Sequence, residues 1–401
     1  MLFALIELAV YGLLAGTLLS QLLRDACAVA LLGLLVWERL AGDDGESALP
    51  KSWIMTVGAF VAANLLSAWM SDDTTSSFEQ LRFYPLGGLI FLGTRRLVAA
   101  GRWSRLTTLV LVLLIVFSVD TIWQSFHGQS FLQHRVPMWG RFQGSLVYPS
   151  DISLLAILLP IGAATLLEGG RWRVAVGLAA VVLVAAAVSF SGTRSAWMGL
   201  LLIAIAAGWI HRRAALGAVL LATVLAVSLL SILAGMTTAP QRLFSKTAYR
   251  AEKRATQWQA AVVLFREAPV LGHGPHSFRR LVRARHGEPS AVGRVVLEWA
   301  PYPHNIYLEA LSGTGVIGLA ALLALLGRGF TALYPRRRDS PVARVALVSL
   351  GLFAVIGAFD MSLVKDWVQL CFWLPLGIAC ALTPNRRAAA GVESAVPPLP
   401  R

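Results

Sequence analysis

Long apolar runs separated by short polar segments repeat along most of the 401-residue chain. A helix needs about 20 apolar residues to cross the hydrocarbon core of a bilayer. The pattern predicts twelve membrane-spanning helices, near 2–23, 26–41, 52–70, 81–97, 106–126, 150–168, 172–190, 195–211, 214–235, 304–327, 342–363 and 367–383. The second, fourth and eighth runs are short, which is typical of tilted or half-buried helices.

Two polar segments are longer than the other connections, a medium one at 127–149 and a long one at 236–303. Within the long segment, residues 241–267 have apolar side chains at spacings of three and four, which predicts a helix that Pro269 ends. The chain therefore divides into spans one to nine (1–235), a large, partly helical loop (236–303), spans ten to twelve (304–383) and a disordered tail (384–401).

Composition narrows the class of protein further. Hydrophobic residues make up 57% of the chain and charged residues only 14%, whereas soluble domains carry roughly 25% charged residues. The pattern therefore predicts an all-α integral membrane protein. The three cysteines lie in apolar runs, so no disulfide framework is expected.

The distribution of basic residues predicts the orientation. Most of the net charge of +14 lies in short connections. Membrane topology therefore explains it better than nucleic-acid binding does. If the N-terminus is cytoplasmic, the inner connections hold most of the Lys and Arg outside the long loop, including Arg95, Arg96, Arg212, Arg213 and the cluster at 336–338. Lys and Arg in short loops stay cytoplasmic, and long loops translocate whatever their charge. Both termini are therefore expected inside, with 2–23 as a retained first span.

Polar residues on the outer side are the candidates for chemistry, and two of them stand at span ends. His304 lies at the mouth of the tenth span beside Asn305 and Tyr302. It could accept a proton near neutral pH, since the unperturbed pKa of histidine is about 6.5; a polar helix cap is the alternative. Arg194 lies in a very short outer turn, where it either binds an anion or snorkels to the interface.

Three further arginines lie in the outer loops. Arg266 precedes a proline turn in which Gly272 and Gly274 allow close backbone approach; a surface salt bridge is the alternative. Arg135 and Arg141 lie in the medium loop and could bind either substrate or lipid phosphate. Guanidinium groups match phosphate oxygens bidentately. The outer loops lack close acidic clusters, which favours metal-free chemistry on a phosphorylated substrate, and no cofactor is expected.

These motifs resemble those of the O-antigen ligase and polymerase superfamily over roughly residues 50–385. The family signature is His followed by Asn, Ser or Gln, nine residues, Gly, two residues and a small residue. It is matched by His304-Asn305, Gly315 and Gly318. A Gly-x-Gly turn followed by Ser-Phe, upstream of the histidine, is present at 272–278. The resemblance implies a GT-C-like glycosyltransferase in the bacterial inner membrane, with its active site facing the periplasm.

The resemblance also implies the substrates. O-antigen polysaccharide on undecaprenyl pyrophosphate would be transferred to lipid A-core oligosaccharide, metal-independently and with inversion. His304 would be the base. The substrate-binding residues would be Arg194, Arg266, Arg141, Arg135, Asn305 and Tyr302. A polymerase or a protein O-oligosaccharyltransferase of the same superfamily remains an alternative. A lipid-glycan transporter is less expected, because transporters place ionisable residues near the bilayer midplane. A structural partner of a polysaccharide export complex is the third possibility.

Overall fold

The computed structural model describes residues 2–40, 49–167, 171–210, 221–227, 229, 247–295 and 302–383. Within these ranges the chain is α-helical with short 3₁₀ turns and contains no β-strand. We label the α-helices α1 (Leu2–Leu19), α2 (Gln21–Leu40), α3 (Lys51–Trp69), α4 (Thr74–Gln80), α5 (Phe83–Ala99), α6 (Trp103–His127), α7 (Ser153–Leu167), α8 (Arg171–Ser191), α9 (Arg194–Ile210), α10 (Thr247–Glu267), α11 (Phe278–Ala284), α12 (Ile306–Leu333), α13 (Pro341–Asp360) and α14 (Asp366–Ala381). A further helical stretch lies at 221–227.

Six of the described helices are long and apolar enough to cross a membrane: α1, α3, α6, α8, α12 and α13. Three more, α7, α9 and α14, are apolar but shorter. The all-helical, membrane-protein prediction is therefore confirmed, whereas the number twelve stays a prediction. Most of the ninth predicted span and the tail at 384–401 lie outside the described residues. The tenth helix of the prediction was placed too short, since α12 extends to Leu333.

The centre of the bundle is built from helices that are apolar all round, as expected for helices without a solvent face. In α14, every residue from Trp367 to Cys380 is buried, and α7 is buried along most of its length. The peripheral helices instead expose large apolar side chains, including Leu8, Val29, Trp37, Met55, Trp69 and Phe126. Such a surface is suited to lipid rather than water.

Helix ends that were predicted to share a side of the membrane meet in the structure. Trp53, at the start of α3, donates from Nε1 to Oγ1 of Thr383, just after α14, at 3.0 Å. At the opposite end, Gln133 of the 127–149 loop donates to the carbonyl of Leu19 at the end of α1, at 3.1 Å. These contacts agree with the predicted alternation of helix directions.

Helix α12 is interrupted by Gly315, whose φ of 64° and ψ of −164° are not helical. A Cβ at this position would overlap the carbonyl group of Val270. The interruption lets backbone of the 269–277 turn bond directly to α12. Gly274 N–H donates to the Gly313 carbonyl at 2.8 Å, and the Val270 carbonyl accepts from Ile317 N–H at 3.4 Å. The predicted close approach of this glycine turn is confirmed, and its neighbour proves to be α12.

Helix α3 holds the same turn from the other side. Ser67 Oγ donates to the Leu271 carbonyl at 2.6 Å, and Ser71 Oγ donates to the His273 carbonyl at 2.7 Å. The long loop is thus anchored to two helices of the bundle at its 269–277 turn.

Candidate active site

Asp360, the last residue of α13, joins three other elements through one buried carboxylate. Its Oδ1 lies 3.0 Å from a terminal guanidinium nitrogen of Arg254 on α10 and 3.3 Å from Nδ1 of His304. Its Oδ2 accepts from Ser195 Oγ, at the start of α9, at 3.0 Å. A buried carboxylate is stable only when it is paired and hydrogen-bonded. Arg254 and Ser195 supply the hydrogen bonds, and His304 lies at ion-pair distance.

His304 is held in the left-handed region, with φ of 57°. Its ring lies beside that of Tyr302, with ring centroids 4.6 Å apart. Trp258 of α10 donates from Nε1 to the Pro303 carbonyl at 3.1 Å, which fixes the backbone just before the histidine. Asn305 caps α12, because its side-chain oxygen accepts from the N–H groups of Tyr307 (2.9 Å) and Leu308 (3.1 Å). The helix-cap alternative therefore applies to Asn305 and not to His304.

A second buried ion pair lies beside the first. Lys365 Nζ is 2.6 Å from Oδ1 of Asp151, which is 2% exposed. Burial alone would lower the pKa of Lys365, but the charge of Asp151 raises it above its ordinary value. The ammonium group also faces the ring of Tyr302, with Nζ 5.2 Å from its centroid. Burial raises the pKa of Tyr302 to about 12, so its hydroxyl stays protonated at physiological pH.

Arg194 is exposed and is the first residue of α9. Its chain neighbour Ser195 binds Asp360, and consecutive Cα atoms are only about 3.8 Å apart. The backbone of Arg194 therefore lies close to the residue that binds Asp360. Arg141 lies next to this turn, but it is used within the protein: Nε donates to the Ser191 carbonyl at 2.5 Å and a terminal nitrogen donates to Thr193 Oγ1 at 2.6 Å.

Arg266 lies near the end of α10, away from the Asp360 carboxylate. It lies on α10 with Arg254, but twelve residues further along, which at 1.5 Å per residue is about 18 Å of helix. Arg254 reaches Asp360, so Arg266 ends up beside the 269–277 turn, where its side chain is exposed. Its neighbour Glu267 pairs with Arg285 at 2.7 Å instead. About 18 Å of helix therefore separates Arg266 from Arg254, and a substrate-binding role for Arg266 stays a prediction.

Arg135 also stays within its own loop. Its Nε donates to Gln133 Oε1 at 3.0 Å, and its backbone is bonded to Ser130 and Gln124. These contacts order the 127–149 loop, and none of them joins Arg135 to His304 or Asp360.

Sequence reasoning missed Asp360, Lys365, Asp151 and Arg254. A signal was available for the first three, because each is an ionisable residue beside or within an apolar run. Such residues are costly there and usually mark function. Arg254 stands one helical turn before Trp258 on the predicted loop helix, so both point towards the same side. The described residues contain no group of three or more His, Cys, Asp or Glu side chains placed to hold a metal ion.

Comparison with known families gives one match, to the family described as O-antigen ligase, over residues 179–323. This match covers about a third of the chain, and it supports membership of the O-antigen ligase family. No match was found among curated proteins. The matched segment includes Arg194, Arg254 and His304, whereas Asp360 and Lys365 lie beyond it. The place of these last two residues in the candidate site therefore rests on the structure alone.

Proposed function

We propose that this protein is a membrane glycosyltransferase that moves a glycan from a lipid pyrophosphate to the hydroxyl of an acceptor glycolipid. In the ligase form, the donor is O-antigen on undecaprenyl pyrophosphate and the acceptor is lipid A-core oligosaccharide, at the periplasmic face of the bacterial inner membrane. The observation that carries the proposal is the grouping of His304, Asp360 and Arg254, with Arg194 adjacent, in a chain of the O-antigen ligase family.

His304 is the proposed general base. Asp360 Oδ1 lies 3.3 Å from Nδ1, so Nε2 is assigned to the acceptor hydroxyl. The acceptor oxygen attacks the anomeric carbon while its proton passes to Nε2. The bond between that carbon and the phosphate oxygen breaks, and its electron pair leaves with undecaprenyl pyrophosphate. Direct displacement of this kind inverts the anomeric centre.

Arg194 and Arg254 are proposed to stabilise the departing pyrophosphate. Fixed positive charge at the site of developing negative charge is often the largest single contribution to catalysis. Arg194 adds the N-terminus of α9, where backbone N–H groups favour anions. Arg254 is 40% exposed, so it has a free face beyond its contact with Asp360. In this scheme the guanidinium groups neutralise the negative charge of the pyrophosphate, a role that a divalent cation has in other phosphate chemistry.

Transfer by the purified protein in lipid nanodiscs tests the proposal, with lipid-linked O-antigen as donor and core glycolipid as acceptor. His304→Ala should lower the rate by about 10²–10⁴-fold, the usual contribution of a positioned base. His286→Ala, at an exposed position of the long loop, is the control and should be unaffected. Full transfer by His304→Ala would remove the base from the mechanism.

Loss of transfer on chelation, restored by a divalent cation, would overturn the metal-independent scheme.

The acceptor is tested in the same assay. Elongation of the donor-linked glycan without core glycolipid would identify a polymerase, and an ATP requirement without a new glycosidic bond would identify a transporter.

A further inference from the structure

A third buried pair of titratable residues, His276 and Glu309, lies between the glycine turn of the long loop and the start of α12. His276 Nδ1 is 2.8 Å from Oε1 of Glu309, and both side chains are largely buried, at 8% and 4% exposure. Neither residue touches His304 or Asp360 in the contacts described above. An ion pair or charged hydrogen bond in such a place adds little to stability compared with apolar packing.

Glu309 also binds the segment that connects α13 to α14. Its Oε1 accepts from Ser362 Oγ at 2.7 Å, and its Oε2 accepts from Leu363 N–H at 3.3 Å. This segment, 361–365, is not helical, and Ser362 is fully buried. One carboxylate therefore holds the middle of the connection.

The two ends of the same segment carry the candidate active site. Asp360 immediately precedes it and faces His304, and Lys365 closes it and pairs with Asp151 beside Tyr302. A shift of the 361–365 backbone would move both charged groups relative to the imidazole of His304. Displacements of about 1 Å at such groups are enough to lower a rate by about 10²-fold.

His276 is itself held in an unfavourable backbone conformation, with φ of 57°. It lies in the 269–277 turn, which bonds to α12 through Gly274 and Gly313. The turn therefore presents the imidazole to Glu309 only when the long loop is seated on the bundle.

We propose that His276 and Glu309 are positioning residues, which fix the 361–365 segment and thereby the places of Asp360 and Lys365 when the long loop is seated. The catalytic consequence rests on the proposed glycosyl transfer. The structural consequence, an ordered 361–365 segment, does not.

Two substitutions at His276 separate this role from a general need for folding. His276→Gly removes the imidazole at a backbone position that glycine adopts readily. His276→Asn keeps a donor near the place of Nδ1 and tolerates the left-handed region. His286→Gly, an exposed histidine in the same loop, is the control.

Hydrogen–deuterium exchange of the full-length protein in nanodiscs gives the first readout. In His276→Gly, exchange of the 361–365 amides should rise about tenfold, because the Glu309 contact to Leu363 N–H is loosened. His276→Asn and His286→Gly should exchange like the wild type. Unchanged exchange in His276→Gly would overturn the proposal, whatever the transfer rates are.

Transfer kinetics give the second readout. In His276→Gly, kcat should fall about tenfold while both KM values stay within about twofold, because misplaced groups act on the reacting centre rather than on binding. His276→Asn should restore most of kcat. An equal loss in His276→Asn, or a loss confined to KM, contradicts positioning.

Ser362→Ala removes one contact of Glu309 and should reproduce both effects if His276→Gly does not fold. Raised exchange combined with full transfer by His304→Ala would leave the positioning intact and reject the proposed function.

Discussion

At the scale of single residues, Asp360 explains why the arginines of this chain are not equivalent. It collects Arg254, His304 and Ser195 through two oxygens. Arg266 has the same side chain on the same helix, yet it lies outside this group of contacts. The role of each of these two arginines therefore depends on how far along α10 it lies.

Substitution at the two arginines tests this difference. Arg254→Lys keeps the charge but loses the planar pair of donors that now contact Phe359 and Asp360. We expect the kcat/KM of glycan transfer to fall about 10²-fold, as for the loss of one preorganised donor. Arg266→Lys is the matched change and should stay within about twofold, since it removes no contact at this carboxylate. Equal losses in the two variants would restore Arg266 to the site.

Lys365 permits a prediction about stability and pH. Lys365→Met leaves the buried carboxylate of Asp151 unpaired, which should destabilise the protein by about 3–5 kcal/mol. The pKa of Lys365 is raised above its ordinary 10.5, so its contribution is fully present below that value and is lost only at still higher pH. The difference in unfolding free energy between wild type and variant should therefore stay constant between about pH 6 and 9. Denaturant unfolding in detergent measures it.

A double variant provides the control for this experiment. Asp151→Leu combined with Lys365→Met removes both charges and should recover part of the lost stability, because no unpaired ion remains. A double variant as unstable as Lys365→Met would show that packing, and not the lone carboxylate, causes the loss.

At the scale of elements, α12 differs from an ordinary spanning helix because it is interrupted where the long loop reaches it. The signature glycine of the motif has a structural reason here. Gly315 adopts a backbone conformation that is essentially restricted to glycine, and the space of its missing side chain is filled by the Val270 carbonyl.

The two glycines Gly315 and Gly327 in this helix should respond oppositely to alanine. Gly315→Ala should remove most of the folded, monodisperse protein, because strain and overlap with Val270 occur together. Gly327→Ala meets nothing within 4 Å and should be neutral or stabilise by up to about 1 kcal/mol through helix propensity. Thermal unfolding monitored by size-exclusion chromatography compares them. A folded, fully stable Gly315→Ala would contradict the steric account.

At the scale of the whole molecule, the described helix ends fall into two groups, one containing Trp53 and Thr383 and the other containing His304 and Asp360. The positive-inside rule predicts that the second group faces the periplasm. The proposed function requires that orientation, because lipid-linked O-antigen is presented there.

Cysteine labelling tests the orientation. In a background where the three native cysteines are replaced, Arg279→Cys in the long loop should react with an impermeant maleimide in intact spheroplasts. Arg338→Cys, between α12 and α13, should react only after permeabilisation. Both positions are exposed, so reagent access differs only by side. The reverse labelling pattern would reject the predicted topology.

The sequence was a sufficient guide to the helices because the period and length of apolar runs are local properties. It also located His304, since a motif with fixed spacing spans only fifteen residues. It could not assign Asp360 to that histidine, because their pairing depends on how α12 packs against α13. It did not single out Arg254, because only the packing of α10 shows that this residue reaches Asp360.

The interrupted α12 has a consequence for exchanging parts between related enzymes. The backbone of the 269–277 turn bonds to Gly313 and Ile317, so the long loop and the first turns of α12 form one unit. A chimera that replaces the loop only up to residue 303 would place a relative's turn against the start of the recipient's α12, which did not evolve with it. A transplanted segment should therefore extend to about residue 318, past the break in the helix, so that the turn and its partners in α12 come from the same protein.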